Sequence, residues 1–83
     1  MLLSLVIPRC DDPALMQRLT QGAEQLSGVL PYAFEIICVY GPDETSPSHH
    51  DRIRWFQSER DCHGQRVRVG MLSARGRYRV LLD

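Results

Sequence analysis

Carboxylates stand at the ends of three apolar runs in this 83-residue chain. Asp11 and Asp12 follow residues 2–7, Asp43 and Glu44 follow residues 34–40, and Asp83 follows Val80-Leu81-Leu82. An open sheet of parallel strands holds its ligands in the crevice outside the carboxyl ends of its strands. If the three runs are such strands, their acids collect where a ligand binds. Asp11-Asp12-Pro13 also reads as an ordinary helix start, with Asp12 as N-cap, Pro13 at the first helical position and both carboxylates favoured by the helix dipole. His49, His50, Cys62 and His63 are donor types that suit zinc. Their spacing matches no zinc finger and both pairs fall in polar turns, so no metal is assigned to them. Arg66 and Arg68 lie near a helix start, either approaching phosphates or, as the preferred reading, on the solvent face.

The elements that must position these residues follow from periodicity and punctuation. Residues 2–7 are almost wholly apolar and end at Pro8, as in a central strand covered on both faces. Leu15, Leu19, Ala23 and Leu26 recur at helical spacing, and Gly28 stands where a left-handed C-terminal residue is wanted. Residues 34–40, rich in branched and aromatic side chains, form a second strand that stops at Gly41-Pro42. Cys38 within it reads as a small buried hydrophobe. Residues 42–50 read as a loop or one irregular helical turn. Residues 52–57 make a third strand with Ile53, Trp55 and Gln57 on one face. A helix spans residues 65–75, with Val67, Met71 and Ala74 as its apolar stripe flanked by Leu72, and is ended by Gly76. Residues 77–83 are the fourth strand. The alternation specifies an α/β fold: a three-layer Rossmann-like half-domain with a mostly parallel four-stranded sheet in the order 3-2-1-4.

Composition narrows the function classes. The mass of 9.5 kDa allows one small domain and excludes a large multidomain enzyme. No window holds the ~20 apolar residues needed to span a bilayer, and residues 1–7 lack a basic n-region and a cleavage site. The three cysteines, Cys10, Cys38 and Cys62, form no C-x-x-C pair and point to a reducing compartment, the cytoplasm. All ten basic residues are arginine. Residues 1–50 carry two arginines against six acids, a net −4, and residues 51–83 carry eight against four, a net +4. This split is read as solvated faces. With a pI near 6.8 and no accompanying motif, nucleic-acid binding is not expected.

Three segments carry a resemblance to a known family. Ser4-Leu5-Val6-Ile7-Pro8 resembles an opening S-[LV]-V-I-P strand, and Glu35-Ile36-Ile37-Cys38-Val39 an E-I-I-V-V strand. Residues 64–78 resemble G-x-x-V-R-x-G-x-x-x-A-x-G-x-Y, and Val80-Leu81-Leu82-Asp83 the strand entering a D-x-D. Together these are similar to the N-terminal part of a family 2 glycosyltransferase of the GT-A fold, in particular the dolichyl-phosphate and polyprenyl-phosphate sugar synthases. The resemblance spans the chain, and its third segment is the specific one. It implies a sugar nucleotide as ligand, with Mg²⁺ or Mn²⁺ on its diphosphate held by carboxylate oxygens. Carried over by position, it implies Pro8, Asp12 and Asp83 as nucleotide-binding residues, with Asp43 or Glu44 as candidates for the space of the missing second-strand aspartates and Arg68 as the candidate phosphate contact, and it assigns no catalytic residue. Two segments depart from the family pattern. Cys10 replaces an aromatic residue after the first strand, and Tyr40-Gly41 replaces a pair of aspartates after the second.

The functional expectation is therefore the donor-nucleotide-binding portion of a glycosyltransferase-like protein. The resemblance puts the second metal aspartate and the general base beyond Asp83, so no transfer activity is expected of these 83 residues. The alternative is a stand-alone, non-enzymatic module of the same fold used for protein association. In either case residues 77–83 form an edge whose Val80, Leu81 and Leu82 lack cover, so a homo-oligomer through this strand, or pairing with a further C-terminal half, is expected.

Overall fold

The computed structural model describes residues 2–9, 13–43 and 53–82. It contains β1 (Leu3–Ile7), α1 (Pro13–Val29), β2 (Phe34–Tyr40), β3 (Ile53–Gln57), α2 (His63–Ser73) and β4 (Tyr78–Leu81). The strands form one four-stranded, all-parallel sheet in the order β3-β2-β1-β4, as the alternating sequence pattern predicts. No helix among the described residues is long and apolar enough to cross a membrane.

Alternation along the strands divides the core into two layers. Ile7, Phe34, Ile36, Cys38 and Ile53 are buried with Ala23 of α1, and Leu3, Leu5, Leu19, Leu26, Leu30 and Trp55 pack around them. On the other face Val6 and Ile37 meet Ala74, with Phe56 and Met71 packed alongside. The two helices thus cover opposite faces, which gives the three layers.

The two layers differ in how closely the helix approaches. Large side chains hold α1 off the sheet, whereas α2 settles onto it through Gly70. A methyl group on Gly70 would stand 2.5 Å from Val6 Cγ1 and 3.4 Å from Val39 Cγ2. Glycine inside a helix costs about 1 kcal/mol relative to alanine, but here only hydrogen fits between backbone and sheet. Val6, Ile37 and Val39 beneath it are completely buried, and burial of each such side chain contributes ~1.5–3 kcal/mol.

Several boundaries differ from the sequence reading, each for a physical reason. Gly28 is not a left-handed cap: α1 continues through it, and no described residue has a positive φ. The Leu30 N–H still donates to the Leu26 carbonyl at 2.8 Å, and Pro31, lacking an N–H, ends the ladder. α2 begins two residues earlier than predicted, with the Arg66 N–H bonding the Cys62 carbonyl at 3.1 Å. It ends at Ser73, because Ala74 is extended at φ −69° and ψ 138°. Gly76 is therefore needed for space and not for its φ. A Cβ there would lie 2.5 Å from Ser4 Oγ and 2.6 Å from Ser4 N. The stripe of α2 is also rotated. Arg66 and Gly70 are its buried positions and Ala74, directly after it, is buried too, while Val67 and Met71 flank them and Leu72 is 72% exposed.

β4 occupies the centre of the predicted segment 77–83. Its ladder to β1 is bounded by Tyr78 N–H to the Leu2 carbonyl and Leu82 N–H to the Val6 carbonyl, both 2.8 Å. All four of its residues are exposed, so it is the uncovered edge that the sequence anticipates.

Candidate functional site

Strand order fixes where a crevice opens. From β1 the sheet extends to β2 and β3 on one side and to β4 on the other, with α1 and α2 on opposite faces. The gap between β1 and β4 is therefore the topological switch point, and the carboxyl ends of these strands are where ligands of open parallel sheets bind. Pro8 sits there, buried directly after β1, with exposed Arg9 next to it. The bond from the Leu82 N–H to the Val6 carbonyl brings the end of β4 alongside.

The same end of the sheet carries a charged cluster. Arg66 is completely buried beneath the first turn of α2. Its Nη2 and Nε donate to Asp61 Oδ1 at 2.7 and 3.2 Å, and its Nη1 donates to the Val39 carbonyl at 3.4 Å. Arg9 Nη2 approaches the same Asp61 oxygen at 3.6 Å from the end of β1. The trio links the ends of β1 and β2 to the segment before α2. The hydrogen bond from Arg66, then its charge, holds the Asp61 carboxyl below its ordinary range, with Arg9 adding to the effect and slight burial opposing it. Cys62, the N-cap of α2, makes no side-chain capping bond. Beside the cluster, Gln57 Nε2 donates to the Gly41 and Pro42 carbonyls at 3.3 and 3.1 Å, tying the turn after β2 to the end of β3.

A second polar group lies inside the α2 layer. Glu35 on β2 is 2% exposed. It accepts Ser4 Oγ–H at 2.6 Å, the Arg75 N–H at 2.6 Å and Arg54 Nη1 at 2.8 Å. Ser4 Oγ in turn accepts the Gly76 N–H at 2.7 Å. Burial raises the Glu35 pKa, but the bonds from Ser4 and Arg75 and the Arg54 ion pair outweigh it, and the carboxyl stays below its ordinary value. With its oxygens engaged by β1, β3 and the α2–β4 connection, Glu35 is a clamp rather than a general acid or base.

Of the sequence-predicted site residues, Pro8 and Asp43 lie at the carboxyl end of the sheet, Pro8 buried and Asp43 exposed after β2. Arg68 is exposed on α2. Asp12 and Asp83 fall outside the described residues, as do Asp11, Cys10, Glu44, His49 and His50. Among the described residues no three His, Cys, Asp or Glu side chains group to hold a metal ion. Cys38 is buried, as expected, and Cys62 is exposed.

Sequence reasoning missed two features. The preferred sequence reading puts Arg66 on the solvent face, but it is buried, because it shares the i, i+4 face of Gly70 that packs on the sheet. Counting glycine as a core residue identifies that face. Glu35 stands in the sequence only as part of a strand. The signal was an acid within a run otherwise buried on both faces, paired in register with Ser4.

The residues of the third resembling segment acquire physical roles. Gly70 and Gly76 permit close approach to β1, and Ala74 fills the core between them. Compared with known protein families, curated proteins and solved structures, the chain matches none.

Proposed function

We propose that this chain is a donor-nucleotide-binding portion of a glycosyltransferase-like domain, holding the diphosphate end of a sugar nucleotide outside the β1–β4 switch point. The observation that carries this reading is the all-parallel β3-β2-β1-β4 sheet with Pro8 and Arg9 at the mouth of that crevice. The cluster of Arg9, Arg66 and Asp61 supports it, because it brings two arginines to this end of the sheet beside the start of α2, where an anion is favoured. The motif resemblance supplies the ligand class. Tyr40 and Gly41, standing where that family has aspartates, predict weak binding. Calorimetric titration of UDP is expected to give a dissociation constant in the high micromolar range or weaker, ~5 kcal/mol or less. Inorganic phosphate at equal concentration is expected to bind more weakly still. Equal affinities for UDP and phosphate would remove the nucleoside from the proposal.

A second reading, an association module of the same fold, is favoured by one observation. Tyr78, Val80, Leu81 and Leu82 are 58, 42, 40 and 43% exposed on a free sheet edge.

A further inference from the structure

The two edges of the sheet are unlike. On β3 only Gln57 is exposed, whereas every residue of β4 is. Hydrogen bonding defines what β4 offers. Tyr78 and Leu82 turn their N–H groups to β1. By the two-residue period of a strand, Val80 faces β1 as well, and Arg79 and Leu81 direct their N–H and C=O groups away from the sheet. Unpaired groups of this kind are a template for another strand.

We propose that β4 pairs with β4 of a second copy of this chain, antiparallel, about a two-fold axis at Val80. The sequence around Val80 is self-complementary for that arrangement. Arg79 of each copy falls across from Leu81 of the other, so the outward groups of both residues exchange N–H···O=C bonds. Val80 meets Val80, and Tyr78 meets Leu82, at the closer non-hydrogen-bonded positions where apolar side chains gain most. No arginine opposes an arginine. A two-fold centred on Arg79 would instead press two guanidinium groups together. The result is a closed, isologous contact that continues one sheet through both copies. It rests on the edge alone and is independent of nucleotide binding.

Sedimentation of the full chain at about 100 μM is expected to show a dimer, and Val80→Lys is expected to weaken it about tenfold or more by setting like charges opposite each other. Leu72→Lys, on the exposed side of α2, is expected to leave it unchanged. In a background with Cys10→Ser and Cys62→Ser, Val80→Cys is expected to form an intermolecular disulfide on mild oxidation. Directly opposed non-hydrogen-bonded residues lie about 4.5 Å apart at Cα, within disulfide reach. If Val80→Lys fails to fold, this cross-link decides the matter. A monomer at that concentration, a dimer that folded Val80→Lys leaves intact, or cross-linking of Leu81→Cys in preference to Val80→Cys would each overturn the proposal. A chain that stays monomeric at that concentration yet binds UDP would overturn the proposal while leaving the nucleotide reading in place.

Discussion

The Ser4 hydroxyl donates to the Glu35 carboxylate at 2.6 Å while its oxygen accepts the Gly76 N–H at 2.7 Å. Residues far apart in the sequence are thereby fixed to one another: β1 and β2 at their register pair, and the turn that delivers β4 to the sheet. Glu35 also takes the Arg75 N–H and the Arg54 guanidinium, so one carboxylate satisfies donors from three further segments. The entry of β4, and with it the β1–β4 crevice, depends on this clamp.

Loss of one partner leaves buried groups unsatisfied. Ser4→Ala is expected to destabilise the fold by ~1–3 kcal/mol, because the Gly76 N–H loses its acceptor and Glu35 one donor. Glu35→Gln is expected to cost more at pH 7, since it removes the charge and sets an amide N–H₂ among donors. Urea unfolding followed by circular dichroism measures both.

The Glu35 carboxyl lies below its ordinary value in the folded protein. A depressed carboxyl stabilises the fold fully above its unfolded pKa, about 4.3, and loses that contribution as the pH falls through the folded value. Stability of the native chain is therefore expected to decline from about pH 5 downward, with a shallower decline in Glu35→Gln. Asp61, also lowered, acts in the same direction, so Asp61→Asn combined with Glu35→Gln is expected to flatten the profile further. Unfolding midpoints from pH 7 to pH 3 test the ordering; equal slopes in native and Glu35→Gln proteins would contradict it.

The glycines separate into those that need space and those that do not. Gly70→Ala gains helix propensity but forces a methyl group into Val6, so a net loss of ~1–3 kcal/mol is expected. Gly76→Ala meets backbone atoms of Leu3 and Ser4, which cannot rotate away, and is expected to be the more damaging of the two. Gly22→Ala, with nothing within 4 Å of the new methyl group, is expected to stabilise by ~0.5–1 kcal/mol. Thermal midpoints of the three variants check the order.

Arg66 is buried while its partner Asp61 is exposed. Asp61→Ala keeps the buried cation and removes its counter-charge, whereas Arg66→Met removes the charge and keeps the volume. Apolar replacement of a buried ion is often tolerated, but stranding one is not. Asp61→Ala is thus expected to unfold at lower urea than Arg66→Met, and the reverse order would show that solvent already screens Arg66.

The sheet and its order were legible because apolar runs and Pro-Gly punctuation are local signals. The exposed β4 edge followed from strand order. The clamp was not legible in the same way: Glu35 looks like a solvent-facing residue unless β2 is known to be covered on both faces. Arg66 was obscured by charge, since its burial depends on Gly70 bringing the helix against the sheet. At the candidate site only Pro8 and Asp43 can be placed at the carboxyl end, because Asp12 and Asp83 fall outside the described residues.

Nucleotide binding at the carboxyl end of the sheet is tested most directly by mapping UDP onto backbone amide resonances of the ¹⁵N-labelled chain, with Mg²⁺ present. Saturable shifts are expected at Arg9, Asp43 and Leu82, with those at Leu30 and Ala33, near the opposite end of the strands, unchanged. Shifts confined to residues away from the β1–β4 crevice, or none up to about 10 mM UDP, would contradict nucleotide binding at this site.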